Sequence, residues 1–155
     1  MKIEYVKGDA TSPPGEGNKI IVHVCNDIGG WGRGFVTAIS SKWKEPEENY
    51  RQWHSSKINF DLGGVQFVRV EGNIWVANLI GQRDIKSSKD GISPIRYEAI
   101  SKGLNNVADK AKEIAGTVHM PRIGCGLAGG SWDKMEKIIL EELVDKGIQV
   151  TVYDL

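Results

Sequence analysis

The segment His23-Val24-Cys25-Asn26-Asp27-Ile28-Gly29-Gly30-Trp31-Gly32-Arg33-Gly34-Phe35 places a histidine, an asparagine–aspartate pair and an arginine around four glycines in six positions. Glycines let a backbone approach a ligand and turn its N–H groups toward it, and a helix starting just after such a loop adds the positive end of its dipole. The guest that suits this arrangement is a phosphate. A second segment, Gly124-Cys125-Gly126-Leu127-Ala128-Gly129-Gly130, has the same build, and two such cradles suit a diphosphate. The spacing is not that of the common nucleotide signatures. Gly30, Gly32 and Gly34 make only part of a dinucleotide fingerprint, and the acids that follow about 20 positions later, Glu47 and Glu48, fall in a helical stretch. No glycine loop ends in Lys-Ser or Lys-Thr, so a P-loop is excluded.

Around these loops stand the residues able to move a proton or hold a charge. His23 titrates near neutral pH and Asp27 carries a carboxylate, which makes both candidate catalytic acid–base groups. Each has a structural reading too: a histidine in an apolar strand can be a packed, hydrogen-bonded one, and Asp27 can cap the loop. Arg33 suits a phosphate or solvent. Cys25 and Cys125 lie beside the loops but far apart in sequence, giving neither a disulfide framework nor a metal spacing, so two reduced, packed thiols are expected. No metal and no cofactor are called for.

The elements that position these residues alternate between strand and helix patterns. Residues 3–6 and 20–25 read as strands, the second apolar apart from His23, as in a strand covered on both faces. Residues 35–43 and 46–55 read as helices, the latter opened by Pro46 with Glu47 and Glu48 in its first turn. Strands over 65–70 and 73–80 are close enough for a hairpin. The polar stretch 84–91 reads as a mobile loop. Ser93-Pro94 is expected to open a helix with Tyr97, Ile100, Leu104, Val107, Ala111 and Ile114 at helical spacing. A short strand over 117–120 leads into the second loop. Ser131 is placed to cap a helix that turns Met135, Ile138, Ile139, Leu143 and Val144 inward and stops at Gly147, before a last strand over 148–153. This is an α/β chain with antiparallel pairing mixed into the sheet.

The chain has 155 residues, the size of one domain. Its 20 basic and 20 acidic residues balance without a long basic run, which gives no electrostatic footprint for duplex nucleic acid or an anionic membrane. Its apolar runs are too short to cross a bilayer, and no targeting segment is visible, so a cytoplasmic protein with a small partner is expected.

Val6-Lys7-Gly8-Asp9 after the first strand, the His23-Val24-Cys25-Asn26 strand end with its loop, Met120-Pro121-Arg122-Ile123-Gly124-Cys125-Gly126-Leu127, and Thr151-Val152-Tyr153 keep one order along the chain. Together they resemble a macro domain over residues 1–155. Two subgroups are nearest. The terminal ADP-ribose protein glycohydrolases share the Pro-Arg-Ile-Gly-Cys-Gly-Leu stretch, and the yeast-type ADP-ribose-1″-phosphate phosphatases share a Cys-Asn and a Trp-Gly-x-Gly loop. The resemblance implies a three-layer α/β/α fold with a mixed sheet of roughly six strands and ADP-ribose in a cleft at one end.

It also implies roles for residues. Asp9 accepts a hydrogen bond from the adenine amino group, with backbone near Ala10 helping to select the base; the alternative is that Asp9 simply makes a turn. Gly124, Cys125, Gly126, Leu127 and Ala128 wrap the diphosphate, while Gly32, Arg33, Gly34 and Phe35 close over phosphates and distal ribose. Asn26 bonds the distal ribose, or else satisfies its own loop. Trp31 and Trp132 cover the cleft or pack in a core. The glycohydrolase lysine and aspartate fall on Gln82 or Arg83 and on Ala128, which cannot do that chemistry, and the aspartate of the macroD-type hydrolases falls on Val36. Hydrolysis of ADP-ribose 1″-phosphate with His23 and Asp27 stays open. The other readings are a non-catalytic reader of ADP-ribose or ADP-ribosylated protein and a deacylase of O-acetyl-ADP-ribose.

Overall fold

A computed structural model describes residues 1–85, 91–126 and 128–155. Six strands, β1 (Glu4–Lys7), β2 (Lys19–Asn26), β3 (Val65–Glu71), β4 (Ile74–Gln82), β5 (Thr117–Met120) and β6 (Val150–Asp154), form one sheet in the order β1-β6-β5-β2-β4-β3. Every neighbouring pair is parallel except the β3–β4 hairpin. Among the described residues the α-helices are α1 (Phe35–Lys42), α2 (Glu45–Ser56), α3 (Tyr97–Ile114) and α4 (Trp132–Glu142). None of the described helices is long and apolar enough to cross a membrane.

The run Lys-Ile-Ile-Val-His-Val-Cys-Asn becomes the central strand because both its faces are covered. Side chains alternate along a strand, so Ile20 and Val22 join one core with Leu79, Leu104, Met120, Met135 and Ile139, under α3 and α4. Ile21 and Cys25 join the other with Ile39, Trp43, Tyr50 and Val76, under α1 and α2. Three layers result, with the mixed six-stranded sheet in the middle. The two cysteines part company here: Cys25 is buried in the second core, while Cys125 packs against the first.

Several element ends depart from the sequence expectation. The helix expected from Ser93-Pro94 begins at Tyr97, because the preceding residues run extended against the end of β4. Ile95 bridges Gln82, the Arg83 N–H donates to the Pro94 carbonyl (2.8 Å) and the Arg96 N–H to that of Gly81 (2.9 Å). Ser131 occupies the cap position of α4, but its side chain makes no capping bond; its backbone N–H donates to the Tyr97 hydroxyl at 2.8 Å. α4 ends at Glu142, and a 3-10 turn (Val144–Lys146) intervenes before Gly147, whose φ of 83° lets the chain reverse. The last strand starts at Val150 rather than at 148. Of the stretch read as a mobile loop, residues 86–90 lie outside the described residues.

Candidate functional site

β2 and β5 are parallel neighbours, so the loops leaving their C-terminal ends rise side by side at one edge of the sheet. The first is shaped from inside by Asn26. Its Oδ1 accepts the N–H groups of Ile28 (3.1 Å) and Gly30 (2.9 Å) and sits 2.8 Å from the Tyr50 hydroxyl, while its Nδ2 donates to the Gly30 carbonyl at 3.0 Å. The structural alternative for Asn26 is therefore present whatever else the residue does. The second loop closes on itself: the Gly130 N–H donates to the Gly124 carbonyl (2.7 Å) and the Gly129 N–H to that of Gly126 (3.1 Å). A Cβ at Gly130 would stand 2.5 Å from that Gly124 oxygen, so glycine is obligatory there. Leu127 lies outside the described residues.

Between the loops is a hollow of about 210 Å³, bounded by Gly34 and Phe35 on one side and by Gly124, Gly126 and Ala128 on the other. A second of about 570 Å³ continues beneath the first loop past Asn26, Trp31 and Gly32. Val24, Arg33, Val36 and Gln82 line both, which joins them into one cleft. A larger hollow, about 830 Å³, lies instead beside the starts of α3 and α4 and meets only the tail of the second loop. Gln82 and Val36 were not among the binding residues expected from sequence. The available signal for Gln82 was a polar residue ending an apolar strand, and it comes to lie in register with Asn26.

The charges of the cleft are unequal in availability. Arg122 is committed, donating to both carboxylate oxygens of Asp154 (2.7 and 3.1 Å) and stacking between Tyr5 and Trp132. Arg33 is exposed and has neither hydrogen bond nor ion pair among the described residues. It is the cation left for an anionic guest.

His23 Nε2 lies 2.6 Å from Asn78 Oδ1, and Asn78 Nδ2 donates in turn to the Pro46 carbonyl and to Gln66 Oε1, both at 3.1 Å. That orientation puts the imidazole proton on Nε2. Nδ1 is buried with no partner among the described residues. Burial pushes the pKa of His23 down to about 4, against a smaller opposing effect from Asn78, so the ring is neutral at pH 7 and unsuited to giving up a proton as a general acid. Cys25, 3.7 Å away, has its thiol pushed up by burial. Asp27 lies outside the lining of both hollows; its Oδ1 accepts the Asp84 N–H at 2.7 Å.

Asp9 and Ala10 follow β1, across β6 from the second loop, and line neither hollow. Asp9 Oδ1 accepts the backbone N–H (2.8 Å) and hydroxyl (2.7 Å) of Thr11, which hold the carboxylate below its usual range. Oδ2 is left over. Trp31 is buried against His23 and Tyr50, and Trp132 stacks on Arg122.

A macrodomain protein from Streptomyces coelicolor is 52% identical to this chain, with a TM-score of 0.89 over 99% of each. The chain belongs to the macro domain family. No family model matches it. Among curated proteins, this macro domain is 29% identical over 147 residues to an ADP-ribose 1″-phosphate phosphatase of Candida albicans, covering 90% of this chain and 92% of that protein. It is also 34% identical over 160 residues to the Chromodomain-helicase-DNA-binding protein 1-like of Danio rerio, covering 97% of this chain but spanning only 15% of that protein's length.

Proposed function

We propose that this macro domain binds ADP-ribose, free or carrying a further group on its distal ribose. The observation that carries the reading is the cleft between two glycine loops, with Arg33, unpaired among the described residues, lining both of its hollows. Backbone N–H groups of Gly124, Cys125, Gly126 and Ala128 face the diphosphate from one side, and Gly32, Gly34 and Phe35 face it from the other. The distal ribose enters the larger hollow beside Asn26. The adenine reaches across β6 toward Asp9 and Ala10.

The finer reading is hydrolysis of ADP-ribose 1″-phosphate, favoured by the named activity of the Candida relative. Water adds to the terminal phosphorus, the bond from phosphorus to the ribose oxygen breaks, and ADP-ribose and phosphate leave. Positioned donors and Arg33 would stabilise the charge that develops. Of the two candidate acid–base groups, His23 lines the smaller hollow but is almost wholly buried, neutral and a weak proton acceptor, and Asp27 is engaged by the Asp84 N–H away from both hollows. These placements favour the rival reading, a binder of ADP-ribose or of ADP-ribosylated protein.

Calorimetric titration with ADP-ribose, against AMP and NAD, tests the binding. Saturable binding of ADP-ribose well above both is expected, and none would refute the reading. Phosphate release from ADP-ribose 1″-phosphate, lost in His23→Ala with binding retained, identifies the phosphatase. Tight binding without turnover identifies the reader.

A further inference from the structure

α2 supports the first glycine loop from beneath through three positions, two at its middle and one in its last turn. Tyr50 is wholly buried, and its hydroxyl lies 2.6 Å from the Asn26 carbonyl and 2.8 Å from Asn26 Oδ1. Arg51 donates from Nη1 to the Gly29 carbonyl at 3.1 Å. His54 packs so closely on Gly29 that a Cβ there would meet its ring at 2.4 Å.

The contact with Asn26 has a chemical consequence. Two backbone donors, the N–H groups of Ile28 and Gly30, converge on Oδ1, and the single proton of the Tyr50 hydroxyl is shared between Oδ1 and the Asn26 carbonyl. An amide oxygen held by two backbone N–H groups and braced by the Tyr50 hydroxyl cannot exchange places with its nitrogen without burying unmatched groups. Nδ2 spends one N–H on the Gly30 carbonyl, and the second remains for the hollow that Asn26 lines. At Asn26 the wall therefore offers an N–H donor.

We infer that Tyr50 is a positioning residue for the ligand, holding the Asn26 carboxamide so that its nitrogen faces the hollow and favours a sugar hydroxyl oxygen beyond the diphosphate. This rests on the reading that the cleft takes ADP-ribose. ADP lacks the distal ribose and is the probe that isolates it.

Tyr50→Phe keeps the ring and removes the hydroxyl. By calorimetry ADP-ribose should bind it about tenfold more weakly than it binds the wild type, with ADP changed by less than about twofold. Arg51→Met, at a half-exposed position where the lost ion pair with Glu47 matters little, should give a smaller loss with the same selectivity. Equal losses for both ligands, or no loss for ADP-ribose, would overturn the inference while leaving the function standing. Wild-type protein that does not prefer ADP-ribose to ADP would overturn the function, and the inference with it.

Discussion

Asn78 takes the Nε2 proton of His23, and among the described residues nothing bonds Nδ1. Burial, against the smaller opposing effect of the Asn78 bond, holds this imidazole neutral to about pH 4, while in the unfolded chain it protonates below about 6.5. The sign follows: between those values the unfolded state binds the extra proton, so stability is full above about pH 6.5 and falls as pH drops toward 4. His119, bonded to Thr117 and Tyr153, is likewise pushed to about 4 by burial and by Lys19 nearby. Asp9 and Asp154, held below their usual range by Thr11 and Arg122, withdraw their support only at lower pH, so the two effects separate. The His23 shift alone corresponds to on the order of 3 kcal/mol, or roughly 6–12 °C in a chain of this length. Thermal melts from pH 7.5 down to 4.5 should show Tm falling through that window, and the double variant His23→Gln/His119→Gln should flatten the slope. A double variant with the wild-type slope would assign the acid sensitivity to other groups.

The second loop separates the glycines that shape it from those that leave room for a guest. Gly124 has a φ of 71°, and a Cβ there would meet Ile95 at 2.7 Å and Met135 at 2.9 Å, so Gly124→Ala should destabilise by about 2 kcal/mol or more. Gly126 has ordinary backbone and open space around its Cβ position at the cleft. Gly126→Val should leave Tm nearly unchanged, within about 0.5 kcal/mol of stability, yet weaken ADP-ribose binding by about tenfold or more. Melts and titrations on the two variants check this, and a Gly126→Val protein with wild-type affinity would move the diphosphate elsewhere. The loops were readable in advance because glycine density is a local signal, as is the apolar run that became β2. The start of α3 was not, since Ser93-Pro94 has the local form of a helix entry and only pairing with the end of β4 draws it out. Nor was the state of His23 or the bracing of Asn26 readable, because their partners lie 55 and 24 residues away in the chain.

At the scale of the whole molecule, the two loops belong to different cores. Trp31 and Phe35 tie the first to the core under α1 and α2, while Ile123 and Ala128 tie the second to the core under α3 and α4. What joins those cores is the sheet between them, with β2 contributing side chains to both. A ligand lying across the cleft adds a second connection, made outside the sheet at its C-terminal edge. Because it contacts both halves, its binding energy should count toward unfolding of the molecule as one unit rather than protect one loop alone. At a free ligand concentration of 100 times Kd, mass action gives about 2.7 kcal/mol of added stability, which for a chain of this length is a rise in Tm of about 5–11 °C. Calorimetric melts with and without ADP-ribose should show a single transition moved upward by that amount, with hydrogen exchange slowed on both faces of the sheet. Two transitions, of which the ligand moves only one, would mean that the halves melt separately and that the guest is held by a single loop.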